Sequence, residues 1–173
     1  MTAEHNIIKD VVKMKKLKLY LDTSVISYLL ADDVPEKMID TQEFWELLQQ
    51  GECEVIISEL TFDELMKCNS EKRLDIAKYM TRIDYTYVPI TSQQNDLAQA
   101  YLQYKVLTDK STDDLLHIAC SVLNDCDYIT SWNFKHFVNI KTISKVNSVN
   151  VLLGFREVKI VPPSMLLGGL SDE

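Results

Sequence analysis

Short apolar runs of strand length recur between longer segments of helical periodicity from Leu17 almost to the C-terminus, and this alternation most limits the fold. Leu17 to Leu21, Glu54 to Ile57, Tyr85 to Val88, Tyr128 to Thr130 and Val158 to Val161 read as strands. Helices fit Glu36 to Gln50 (ended by Gly51), Glu59 to Cys68, Glu71 to Arg82 with Ser70 as N-cap, Gln93 to Lys105, Asp113 to Asn124, and Ile143 to Leu153, stopped by Gly154. Strands alternating with helices predict a three-layer α/β/α sandwich on a mainly parallel sheet of four to five strands. Such sheets carry their sites at the carboxyl ends of the strands, so chemistry is sought just after each apolar run.

The chain of 173 residues, 46% hydrophobic, suits one domain, expected over residues 17–167 between a polar extension (1–16) and a GGLSDE tail (168–173). With four glycines in all, no GxGxxG or GxxxxGK[ST] cradle can be assembled, which removes dinucleotide-binding and P-loop readings. Four cysteines without a CxxC pair argue for reduced, mostly buried thiols and against a zinc or disulfide framework. No run of about 18 apolar residues and no secretory h-region is found, so a cytoplasmic protein without membrane contact is expected. The formal net charge of −8 opposes loose adhesion to nucleic acid over the whole surface. It is uneven, however: residues 19–130 hold eight Lys or Arg against 21 Asp or Glu, while residues 9–18 and 131–161 each carry a net charge of +4.

Four places at strand ends or on apolar helix faces hold candidate chemistry. The first strand runs into Asp22, with Thr23 and Ser24 beside it; Asp22 or Ser24 equally suits an N-cap. In SELTFDELMKC, steps of 100° place Glu64 within the arc of Leu60, Thr61, Leu65 and Cys68, leaving Glu59 and Asp63 on the wet face, where Asp63 can pair with Lys67. An ionised carboxylate turned toward a core requires a cation or donors, either a metal ion or a Lys or Arg salt bridge. Asp114 falls in the first turn of the helix that also carries His117, at the edge of its apolar arc, where the helix dipole alone would justify an acid. The Tyr128 to Thr130 strand hands over to Ser131, Trp132 and Asn133, which can orient a bound water without adding charge.

In order, LDTSVIS, Ser58 with Glu64 six positions on, DDLLHIA and ITSWNFKHF resemble the PIN-domain family of metal-dependent ribonucleases, which includes VapC-type toxins of toxin–antitoxin pairs. The resemblance spans about Lys18 to Leu167. It implies a Mg²⁺ or Mn²⁺ site made by Asp22, Glu64 and Asp114, RNA as substrate, a homodimer and a cognate antitoxin. Where the family usually has a fourth Asp, this chain has Asn133, which puts a second tightly held metal in doubt. Ser24 and Ser131 are candidates for orienting the carboxylates or waters, or are plain capping and turn hydroxyls. Lys135, His136, Lys141 and Lys145 form a candidate phosphate track, with Trp132 or Phe134 available either for base stacking or for the core. A Cys120 nucleophile beside His117 is disfavoured by its apolar helix. The competing reading is a catalytically weak or inactive PIN-fold module that acts by binding protein or RNA.

Overall fold

The computed structural model describes residues 15–170; most of the expected N-terminal extension (1–14) and the end of the tail (171–173) lie outside them. Five strands form one parallel sheet: β1 (Leu17–Leu21), β2 (Cys53–Ser58), β3 (Thr86–Val88), β4 (Tyr128–Thr130) and β5 (Lys159–Val161), in the order β3-β2-β1-β4-β5. Among the described residues the helices are α1 (Thr23–Tyr28), α2 (Pro35–Gln49), α3 (Glu59–Leu65), α4 (Ser70–Met80), α5 (Ser92–Gln103), α6 (Thr112–Leu123), α7 (Ile140–Leu153) and α8 (Pro163–Leu170), with a 3₁₀ turn at Asp109–Ser111 before α6. None is long and apolar enough to cross a membrane.

The period-2 alternation of strand side chains divides the core into two halves. Leu19, Leu21, Val55 and Ile57 face Val25, Phe44, Trp45, Leu48, Ile76, Met80 and Leu166 from α1, α2, α4 and α8. Tyr20, Ile56, Val88, Ile129 and Ile160 face Leu97, Tyr101, Leu115, Ile118, Val146 and Val149 from α5, α6 and α7. Both faces are covered, which gives the expected three layers. The chain leaves β1 toward β2 and β3, then returns to the far side of β1 to form β4 and β5. The crevice between the carboxyl ends of β1 and β4 is therefore the topological switch point, where open α/β sheets bind their ligands.

Several boundaries differ from the sequence reading. Asn69 rather than Ser70 caps α4, its Oδ1 accepting from Lys72 N at 2.8 Å. α6 starts at Thr112, one residue before the expected Asp113, with Ser111 as its cap position, because the 3₁₀ turn winds directly into that helix. Asn139 starts α7 three residues early by accepting from Lys141 N and Thr142 N. The expected tail begins inside α8, whose Leu166 packs under α2 in the core. Gly154 caps α7 at φ 81°, as its position in the sequence suggests.

Candidate active site at the carboxyl edge of the sheet

Asp22 stands where β1 ends. Its N–H donates to Thr130 O at 3.1 Å, prolonging the β1–β4 ladder by one residue and fixing the side chain over the switch point. Asp22 is 6% exposed, and its Oδ2 accepts from the hydroxyls of Ser24 and Ser131 (the latter at 2.8 Å) and from Ser24 N at 3.3 Å. Asp22 is thus the N-cap of α1 and a site candidate at once. The two serines are tied in turn: Ser24 Oγ accepts from Trp132 N (2.9 Å) and Ser131 Oγ from Asn133 N (2.9 Å), so the segment after β4 is latched onto the segment after β1.

Ser58 ends β2 and caps α3, accepting from Thr61 N at 3.3 Å. One turn on, α3 turns Glu64 toward the same crevice. No Lys or Arg forms an ion pair with Glu64 among the described residues, although the charge of Lys67 helps to hold its carboxyl down. Instead Thr23 Oγ1 donates to its Oε2, and His117 Nε2 lies 3.1 Å from that oxygen and 3.7 Å from Asp22 Oδ1. The expected Asp63–Lys67 pair is not among the ion pairs formed, and both residues are exposed. Burial pushes the Glu64 carboxyl up, but the hydrogen bond and charge of His117, with the Thr23 hydroxyl, outweigh it and hold the group below the usual carboxylate range.

Asp114, in the first turn of α6, completes the group. Its Oδ1 accepts from Asn133 Nδ2 at 3.3 Å, and its Oδ2 lies 3.4 Å from His136 Nδ1. Burial raises its pKa; His136 counters this, and the negative charge of Asp22 adds to it. Asp22, Ser24, Glu64, Asp114, His117, Asn133 and Lys135 line one cleft of about 530 Å³. The structure thus brings together the three acids singled out in the sequence, with Ser24, Ser131 and Asn133 as their hydrogen-bond partners.

The phosphate track is only partly collected. Lys135, His136 and Lys145 line a neighbouring groove together with Lys105, whereas Lys141 lines neither this groove nor the cleft. Trp132 is buried and Phe134 is exposed, so of the two aromatics Phe134 is the accessible one. Cys120 is fully buried, with its thiol pushed up to about 12 by burial, which accords with the reading against a Cys nucleophile.

Sequence reasoning missed the groups that hold the acids together. His117 is 2% exposed, and its Nδ1 lies 2.6 Å from Tyr20 OH, which lies 2.6 Å from Ser58 Oγ. A buried chain therefore runs from the cap of α3 through the central strand to the imidazole between two carboxylates. Burial alone would lower the His117 pKa, but the Glu64 hydrogen bond and the charges of Asp22, Glu64 and Asp114 raise it. The available signal was His117 three residues after Asp114, which puts both on one side of α6.

The donor chemistry fits a hard divalent ion, since the acidic side chains at the cleft offer oxygen and no thiolate. As the side chains stand, no group of three His, Cys, Asp or Glu among the described residues is arranged to enclose an ion.

A family model described as the PIN domain matches residues 19–133. The chain belongs to the PIN-domain family. The match runs from β1 to the segment after β4 and so takes in Asp22, Glu64, Asp114, His117 and Asn133. Among solved structures, this PIN-domain chain is similar to one in the crystal structure of VapBC2 from Rickettsia felis bound to a DNA fragment from their promoter, with a TM-score of 0.52. The superposition covers 84% of this chain and 98% of that one at 13% identity, a likeness of fold. No curated protein matches the chain.

Proposed function

We propose that this PIN-domain protein is a metal-dependent ribonuclease that hydrolyses RNA phosphodiester bonds, and that it serves as the toxin of a toxin–antitoxin pair. The observation that carries the reading is the opening of Asp22, Glu64 and Asp114, from three distant stretches of sequence, onto one cleft at the switch point of the sheet. These three residues would hold Mg²⁺ or Mn²⁺, an ion that when bound lowers the pKa of a water and screens the charge on phosphoryl oxygens. Ser24 and Ser131 fix one oxygen of Asp22 and leave Oδ1 on the side of His117. Asn133 supplies an amide N–H to Asp114 where an acid would add charge. Lys135 brings positive charge to the rim and joins the cleft to the groove of Lys105, His136 and Lys145, a short path for an RNA backbone. The occurrence of a similar fold in a VapBC2 complex supports a cognate antitoxin partner; we further propose a homodimer in the cytoplasm.

The test compares wild type, Asp22→Asn and Asn133→Asp on single-stranded RNA with Mn²⁺ or Mg²⁺. Cleavage by wild type, its loss in Asp22→Asn and its retention in Asn133→Asp are expected; equal cleavage by wild type and Asp22→Asn identifies a contaminant and sinks the reading. One observation favours a second reading, a PIN-fold binding module without catalysis: His117 already lies between Asp22 and Glu64 as an internal partner for both acids. Binding of RNA or of a protein partner by a wild type that cleaves nothing under any divalent ion supports that reading.

A further inference from the structure

The cleft has a second wall made of aromatic rings and one ammonium. Lys37, in the first turn of α2, places Nζ 5.2 Å from the ring centroid of Tyr28, 5.4 Å from that of Trp132 and 5.1 Å from that of Phe134. Trp132 is a fixed floor: its Nε1 donates to Thr41 Oγ1 at 2.8 Å, and it stacks on Tyr28 with centroids 6.0 Å apart. Phe134 leans on Trp132 yet stays 46% exposed. The ammonium forms no ion pair among the described residues, so its N–H donors remain available while the ring faces hold it in place.

A half-exposed phenyl ring beside a cation without an ion-pair partner, in the cleft that the acids also line, matches a base joined to a phosphate. We propose that Phe134 and Lys37 form a nucleotide subsite, in which a nucleobase of single-stranded RNA stacks on Phe134 and its phosphate meets Lys37. This rests on RNA as the substrate and adds to it a residue pair that sets how the strand is seated. A purely apolar ligand would leave the ammonium unmatched, and a basic peptide would meet Lys37 and Lys135 at the same rim. Paired bases in an A-form duplex are stacked inward and cannot reach a ring on the protein, so the strand here is single. Phe134 and Lys37 therefore act on binding and positioning, and the acids across the cleft are left to the chemistry.

The experiment measures anisotropy of a fluorescein-labelled ten-nucleotide single-stranded RNA on the full chain in EDTA, where no cleavage competes. One abasic residue is moved through the oligomer position by position. Phe134→Ala is expected to weaken binding by roughly tenfold, within the range known for base–aromatic stacking, and Lys37→Met by a similar factor through loss of the phosphate contact, while Phe134→Tyr stays near wild type. An abasic residue at one register is expected to weaken wild type about as much, with no further loss in Phe134→Ala. Circular dichroism checks that each variant is folded; Phe134 is exposed, so the core is untouched. Wild-type affinity in Phe134→Ala, an abasic scan without a preferred position, or no RNA binding at all overturns the subsite. So does Phe134-dependent capture of an arginine-rich peptide in place of RNA. A chain that binds RNA in the expected pattern but cuts none refutes the ribonuclease and leaves the subsite standing; unchanged kcat/KM in Phe134→Ala on a chain that does cut refutes the subsite alone.

Discussion

Replacing His117 by Gln isolates the contact that holds the acids together in the absence of metal. The buried imidazole faces Glu64 Oε2 at 3.1 Å through Nε2 and Tyr20 OH at 2.6 Å through Nδ1. Gln fills much of the same volume, and Tyr20 OH keeps Ser58 Oγ at 2.6 Å, so the cavity and the tyrosine add little. What is lost is a hydrogen bond to a charged acceptor, worth about 2–3 kcal/mol. For a domain of this size that corresponds to a fall in Tm of about 4–12 °C. The loss depends on pH in a direction set by both partners. The His117 pKa is raised on folding, so its contribution is full below the ordinary 6.5 and fades as pH rises through the folded value. The Glu64 pKa is lowered, so its contribution is full above the ordinary 4.5 and fades as pH falls through the folded value. Thermal melts of wild type and His117→Gln in EDTA should therefore differ most between pH 4.5 and 6.5 and converge as the pH rises through the folded His117 value. A difference that is constant or grows with pH refutes the pairing.

Three further outcomes follow from other parts of the molecule. Millimolar Mn²⁺ should raise the Tm of wild type and not that of Asp114→Asn; an ion at 100 times its Kd adds about 2.7 kcal/mol, and equal shifts in both proteins place the ion elsewhere. Tyr101→Phe removes the hydroxyl that donates to buried Asn150 Oδ1 and should cost about 1–2 kcal/mol in urea unfolding with an unchanged m-value. Cys120 and Cys126, buried with thiols pushed up to about 12, should resist Ellman's reagent at pH 8 until denaturant is added, whereas partly exposed Cys68 reacts in the folded protein.

The parts of the fold legible in the sequence are those where one signal acts alone. The bounds of β1 and β4 agree with the apolar runs Leu17–Leu21 and Tyr128–Thr130, and Gly154 ends α7 because a left-handed residue is needed there. α8 was hidden by competing signals: Pro162 precedes it, Pro163 opens it and Gly168 and Gly169 lie within it, residues that read as breakers, yet Pro163 is its first residue, where the absent N–H costs nothing. The acids were legible because each ends a strand or interrupts an apolar helix face, positions where a carboxylate is costly without a reason. His117 and Tyr20 were not, since an aromatic in a strand and a histidine on an apolar arc both read as ordinary core. Their contact links β1 to α6, and a pattern within one segment carries no trace of it. Phe134 was placed among possible stacking residues, but its pairing with Lys37 depends on how α2 meets the segment after β4.

The bond from Ser131 to Asp22 joins the first strand of the sheet to the fourth, and more than a hundred residues of chain lie between the two side chains. Fragments that stop before Ser131 can form the β1–β2 pairing but leave one oxygen of Asp22 without its serine and the β1 edge bare. During synthesis the pocket is therefore assembled late. A chain still being made lacks the finished cleft until Ser131 has been added, whatever the complete molecule does.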